Sequence, residues 1–500
     1  MKRLWQNRIL RAYGSSILGV FSGLLTSFWL LREVTRAVSP HDFGTYAFVF
    51  QITSYLTVLQ LGLDFAASRE IATRLGQKDF PGANAVFAEL HRFNWRVSLG
   101  ALLAVVVAAV VIWFAGWPGR PEDEVNLIAW TILLVGGAQV LSVASRPYAA
   151  ALIGTMHQTL PNFVQLGSGV VTALMAFGFL RAGLGILCLP LAAVLVGAGT
   201  LAVLRHQAYR HCPWLEGPAG TRSREVFREL LRFGGLSTLN GIAWTVESTC
   251  DVVLLATFGN AQLVAVYTLW WRFPQMLFDF CTRLATSAFP EFSNRNSRNP
   301  DAAGELLRKV GIVSLLLAPL ACLGIGIWLP HFVGLWVGPQ FALADGKTIA
   351  VLMGALVLLR TWGNLFGTFA LAQGRAGFTA SLSWTQAGLK LLLGVLLVRS
   401  DGLEGLIVAS VVCAALQVTV YSWSLLKGGI LAAADLVTAV AFAGIGVTFG
   451  IVFRPTHQFD NVWSFTLGSC ATAIAWTVIW AAMIVITRYL SANKRVGYRS

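Results

Sequence analysis

The chain has 500 residues, of which 56% are hydrophobic and only 12% charged, the inverse of the balance in soluble domains. This excludes a string of soluble domains, because no polar stretch is long enough to fold alone. The formal net charge of +14 would suit a nucleic acid, but its placement in alternate loops follows the positive-inside pattern of membrane insertion instead.

A bilayer's hydrocarbon core is about 30 Å thick, so a helix needs about 20 apolar residues to cross it. The sequence supplies such stretches at 13–31, 43–63, 97–117, 127–152, 163–180, 184–204, 233–257, 262–290, 310–330, 348–371, 378–398, 405–426, 430–453 and 465–487. The first is too long for the apolar region of a signal peptide and reads as an uncleaved span. The expected fold is therefore an all-α polytopic membrane protein of about fourteen transmembrane helices. The openings of spans 2 and 8 look alike, Tyr46 and Tyr267 each standing a few residues inside the helix. That likeness predicts two six-helix lobes related by pseudo-symmetry, with two further C-terminal helices. The division is an N-terminal lobe at 1–204, a cytoplasmic basic linker at 205–232, a second lobe at 233–427, helices 13 and 14 at 428–487, and a cytoplasmic tail at 488–500.

Of the 37 Lys and Arg residues, 26 fall on the side that holds both termini and 7 on the other. This bias predicts that both termini are cytoplasmic. The opposite loops are short, the longest being 331–347. A membrane glycosyltransferase, polymerase or ligase would need a sizeable external loop with acidic or His groups, so that class is disfavoured.

The remaining four basic residues, Arg272, Arg283, Arg360 and Lys390, lie inside spans, together with Glu247, Asp251, Asp279 and Asp435. Intramembrane charges are costly and usually mark a pathway. On span 7, Asn240, Glu247 and Asp251 recur at i, i+7 and i+11, with Ser237 and Trp244 placed on the same face. On span 8, Arg272, Asp279 and Arg283 repeat that spacing, and Pro274 provides a site for a kink. A guanidinium grips phosphate oxygens bidentately, so Arg272, Arg360, Lys390 and Arg283 are candidates for an anionic head group. Glu247, Asp251 and Asp279 are candidates for binding H⁺ or Na⁺. A structural alternative stands beside each. Asp279 and Arg283 can neutralise one another at i, i+4. Glu247 or Asp251 can pair with Arg272, Lys390 can snorkel to an interface, and Asp435 can lie at the membrane boundary. A scaffold without transport would have little use for eight such groups.

Spans 1 and 2 carry no charge in their cores, so any contribution of the first lobe falls to Gln51, Ser54, Gln139 and Gln165 or to the rim residues Arg32 and Arg36. The seven cysteines show no paired spacing, and no disulfide is expected. His206, His211 and Cys212 have a loose metal-like spacing within a basic loop, which reads as solvated. Residues 222–232 form a basic amphipathic helix, suited to anionic lipid head groups or to a plain connector. There is no phosphate-binding GxxxxGK[ST] loop, and no cofactor is expected.

Several motifs carry a resemblance. Phe43-Gly-Thr-Tyr-Ala47 is followed by Leu61-Gly-Leu-Asp64 and Ser68-Arg-Glu-Ile-Ala72. Asp251-Val-Val-Leu-Leu is followed by Phe258-Gly and Val264-Ala-Val-Tyr267, and then by Leu335-Trp-Val-Gly-Pro-Gln-Phe341. In this order they resemble the bacterial polysaccharide and O-antigen flippases, of the superfamily that also contains multidrug extruders and lipid II flippases. The resemblance implies alternating access of two lobes and a cargo of undecaprenyl-diphosphate-linked saccharide. It also implies residence in a bacterial inner membrane beside glycosyltransferase or polymerase partners. A drug or cation extruder is the alternative within the same superfamily. The lipid II flippases have basic residues in the first two spans, which are missing here, and this argues against lipid II as cargo.

Overall fold

The computed structural model describes residues 26–56, 63–116, 122–215, 224–298, 300–343 and 345–428. All regular structure among them is helical. Helix α1 covers residues 26–37 and is followed by α2 (Pro40–Ser54), α3 (Leu63–Gly76), α4 (Phe80–Ala115), α5 (Glu122–Gly154), α6 (Thr159–Arg181) and α7 (Cys188–His211). Then come α8 (Arg224–Phe258), α9 (Ala261–Arg298), α10 (Pro300–Val337), α11 (Gly346–Ala372) and α12 (Ala376–Lys427). Seven of the described helical segments are long and apolar enough to cross a bilayer, and the protein is a multi-pass membrane protein. The expected helices 13 and 14, Asp435 and both termini lie outside the described residues.

Local chemistry sets the helix starts. Ser39 caps α2 by accepting from the Asp42 amide, and Pro40 occupies the first turn, where its missing N–H is harmless. Asp79 caps α4 in the same way through Gly82, with Pro81 beside it. Arg74 ties the α3–α4 turn together, its Nε 2.8 Å from Glu70 and its Nη1 3.1 Å from Asp79. The long run Ala376–Lys427 folds back on itself. Gly402, at φ 56°, leaves the helical region, and Gly405 sits so close to the Leu397 carbonyl that no side chain would fit there. The turn thus falls where spans 11 and 12 were expected to part.

The described chain forms two compact units. One comprises Met1–Thr268 and Ala376–Leu391; the other comprises Leu269–Arg375 and Leu392–Ser500. In the first unit, one core joins Leu63, Ala67 and Ile71 of α3 to Val86, Phe87 and Leu90 of α4 and to Ala151 and Leu152 of α5. Val226 and Leu230 of α8 belong to this same core, and the Phe227 ring lies 5.8 Å from that of Phe93. The basic linker helix is therefore docked on protein through its apolar face and runs without a break into span 7, while Arg224 and Arg228 stay exposed. Its amphipathic pattern reflected this burial.

The Leu61-Gly-Leu-Asp64 motif has a structural use. Asn94, fully buried on α4, directs its amide to Asp64 and to the Val143 carbonyl of α5, both at 3.4 Å, joining three helices. Burial pushes the Asp64 carboxyl above its ordinary range, against the opposing effects of the Arg146 charge and the Asn94 hydrogen bond.

In the second unit, the Trp270 indole donates to the Phe341 carbonyl at 2.9 Å, and Gly346 leaves room for the indole edge. Gly338, at φ 101°, makes the turn that brings Phe341 inward, where it is fully buried. The Leu335–Phe341 motif thus anchors α9.

Gly44 of α2 packs directly on the Ala261 carbonyl at the start of α9, so a β-carbon there would overlap that oxygen. Gly44→Val is expected to destabilise the purified protein by about 1–3 kcal/mol, through overpacking that backbone cannot relieve. A melting curve in detergent checks this, and a wild-type melting temperature would contradict the close approach.

Candidate functional site

In the first unit, α8 carries Glu247 and Asp251 one turn apart, so that both reach toward the same side. The ammonium of Lys390, on α12, lies between them. It is 2.8 Å from Asp251 Oδ1, 2.9 Å from Asp251 Oδ2, 2.8 Å from the Glu247 backbone carbonyl and 3.4 Å from Glu247 Oε1. Lys390 has 0% exposure, Asp251 3% and Glu247 6%. Tyr267 of α9, also buried, donates its hydroxyl to Asp251 Oδ2 at 2.6 Å. Tyr55, at the end of α2, is hydrogen-bonded to Thr249 on the same turn of α8. Two turns before Glu247 on α8, Asn240 accepts from Ser383 of α12 at 2.7 Å, a second clasp between these helices.

Taking three ionisable groups out of water costs several kcal/mol each unless their charges and hydrogen bonds are matched. Here the matching is dense, since Asp251 alone receives Lys390 and Tyr267. Lys390 does not snorkel: its ammonium is held inside, at the carboxylates. Trp244, expected on the same stripe, is instead 54% exposed.

A model of the family described as "polysaccharide biosynthesis protein" matches residues 9–295, more than half of the chain. The chain belongs to that family. A "probable low-salt glycan biosynthesis flippase Agl15" of Haloferax volcanii is 24% identical over 196 residues, 39% of this chain and 41% of that protein. The chain thus spans well under half the length of this curated relative. The fold is shared with solved transporters. The lipid II flippase MurJ in an inward closed conformation superposes with a TM-score of 0.70 at 12% identity, covering 96% of this chain and 99% of that one. An inward-facing multidrug resistance MATE transporter of the MOP superfamily gives 0.68 at 14% identity, covering 84% and 98%.

The second unit of this polysaccharide biosynthesis protein holds the other candidates. Arg360 of α11 places its guanidinium 5.4 Å from the centre of the Trp271 ring on α9. The Trp271 indole donates to Gln275 at 2.9 Å, and Gln275 donates to Asp279 at 3.0 Å, a polar ladder at i, i+4 steps. Arg272 is half-buried beside it in sequence. The side chain of Arg283 lies outside the described residues, so its pairing with Asp279 stays an expectation.

The polar residues proposed for the first lobe divide: Gln51, Ser54 and Gln139 are half-buried, whereas Gln165, Arg32 and Arg36 are exposed. Cys212, placed in a solvated loop by the sequence, is in fact fully buried and contacts Thr155 at 3.5 Å. Burial pushes its thiol up. Among the described residues, no three His, Cys, Asp or Glu side chains gather as metal ligands.

Tyr267 is the site residue that sequence reasoning missed. Its place at a helix opening suggested an interfacial tyrosine, and only its spacing of 16 residues from Asp251 across a tight turn could have pointed to the pair. Tyr267→Phe removes a hydrogen bond to a buried charge and is expected to cost about 1.5–3 kcal/mol. An unchanged melting temperature for this variant in detergent would show that the bond carries no weight.

Proposed function

We propose that this protein is a flippase that carries an undecaprenyl-diphosphate-linked oligosaccharide from the inner to the outer leaflet of a bacterial inner membrane. It works by alternating access and is driven by an ion gradient or the membrane potential, with both termini in the cytoplasm. The observation that carries this reading is a buried, fully engaged ion cluster, Lys390 with Glu247 and Asp251, inside a membrane protein of the polysaccharide biosynthesis family. Such a cluster is expensive to maintain in a membrane and implies a task. In this reading Arg272, Arg360 and Arg283 bind the diphosphate, and Lys390 joins them when it leaves its carboxylates. Glu247 and Asp251 then carry H⁺ or Na⁺ as coupling ion, with Asp279 as a further acceptor. Anionic lipids at the cytoplasmic face and a neighbouring glycosyltransferase or polymerase complete the setting.

A drug or cation extruder would need Glu247 and Asp251 open to a positively charged cargo, and Lys390 fills that position here. The basic excess among the candidate groups also favours an anionic cargo.

Complementation of a strain lacking the exporter tests the reading. Arg272→Ala or Arg360→Ala is expected to abolish surface saccharide while the protein still inserts at normal level, and Asp251→Asn is expected to weaken the dependence of transport on pH or sodium. Full activity from both arginine variants would remove the cargo assignment.

A further inference from the structure

Four oxygens around the Lys390 ammonium come from one turn of α8: both carboxylate oxygens of Asp251, and the carbonyl and Oε1 of Glu247. Hard oxygen donors, a mixture of carboxylate and carbonyl, converging on one point are the ligand set that alkali and alkaline-earth cations take. In this chain, the centre of that set is occupied by a cation that is covalently part of the protein. The oxygen distances of 2.8–2.9 Å on three of the four sides are those of an ammonium ion. Potassium, whose radius is close to that of ammonium, would fit the same oxygens with little movement, whereas sodium would require them to contract. Tyr267 donates to Asp251 Oδ2 from outside this set and would hold the carboxylate in place whichever cation sits there.

We propose that the Glu247–Asp251 turn is a monovalent-cation site in which the Lys390 ammonium serves as resident ion, so that a metal ion binds only when Lys390 withdraws or is removed. The inference rests on the reading of Glu247 and Asp251 as the coupling acceptors, and it deepens that reading: in this conformation no external alkali ion is needed, and the ion enters in exchange for the lysine. Removing the side chain at the α-helix of Lys390 leaves both negative charge and space. The vacated room, lined by oxygens and by the Tyr267 hydroxyl, is polar enough to hold a cation with water.

The test uses the full-length protein in detergent, with no saccharide lipid present, so that it is independent of the cargo assignment. Melting temperatures are measured in potassium, sodium or choline chloride at equal ionic strength. For the wild type no difference between the three salts is expected. For Lys390→Ala a saturable rise of several degrees in the alkali salts over choline is expected, with potassium acting at the lowest concentration, by the mass-action stabilisation that any native-state ligand gives. Lys390→Met, which keeps more of the packing volume, is measured in parallel. Should either variant be recoverable only from potassium or sodium buffers, that recovery supports the site equally. If neither variant responds to any alkali ion, if neither is recovered in any salt, or if the wild type responds as they do, the proposal fails. Full surface-saccharide export by Arg272→Ala and Arg360→Ala, alongside an intact cation response of the Lys390 variants, would instead count against the flippase reading alone.

Discussion

The cost of placing charge in a membrane governs this molecule. Lys390, Glu247 and Asp251 are each almost fully buried, and none would be tolerated alone. Together, with the Tyr267 hydroxyl, they fix the register of α8 against the first half of α12 and against the start of α9. The cluster is therefore a structural clasp and a store of electrostatic energy at once. Any event that protonates a carboxylate or draws the lysine away alters the cohesion of three helices, which is the kind of two-state element that can link ion binding to movement.

The backbone arrangement within each unit is equally constrained. Gly44 against the Ala261 carbonyl and Gly405 against the Leu397 carbonyl are places where helices meet backbone to backbone. Close approaches of this kind are a common means of helix association in membranes, where apolar side chains gain little by leaving lipid. The Asn94 and Arg74 bonds of the first unit, and the Trp270–Phe341 bond in the other, are the polar counterparts. Several of the motifs that carried the family resemblance are explained by these contacts rather than by transport chemistry.

The fold class was legible because bilayer thickness imposes one period on the whole chain, and apolar runs of about 20 residues are hard to mistake. The break in α12 was legible too, from the polar interval at 399–404. Boundaries were not: α4 begins at Phe80, well before the apolar run at 97, because its first turns are stabilised by the Asp79 cap and by packing of Phe87 and Leu90 rather than by lipid. At the site, helical spacing on span 7 correctly grouped Glu247 with Asp251. It could not supply their partner, since Lys390 lies 139 residues beyond Asp251 and no periodicity within one helix reports a contact at that range. Trp244 shows the limit of such stripes: by helical angle it shares the face of Asn240 and Asp251, yet its ring is exposed, because angle alone does not say how far a neighbouring helix covers a face.

The most direct test of this account is a double-mutant cycle between Lys390 and Asp251, using Lys390→Met, Asp251→Asn and the double variant, with unfolding free energies measured in detergent at fixed salt. Removing one partner of a buried pair costs about 3–5 kcal/mol, whereas removing both returns the cluster, Glu247 included, to the net charge it has with the pair present. The account predicts that the double variant is more stable than the sum of the two single effects allows, with a coupling within the range of about 0.5–3 kcal/mol. Strict additivity of the two substitutions would contradict it.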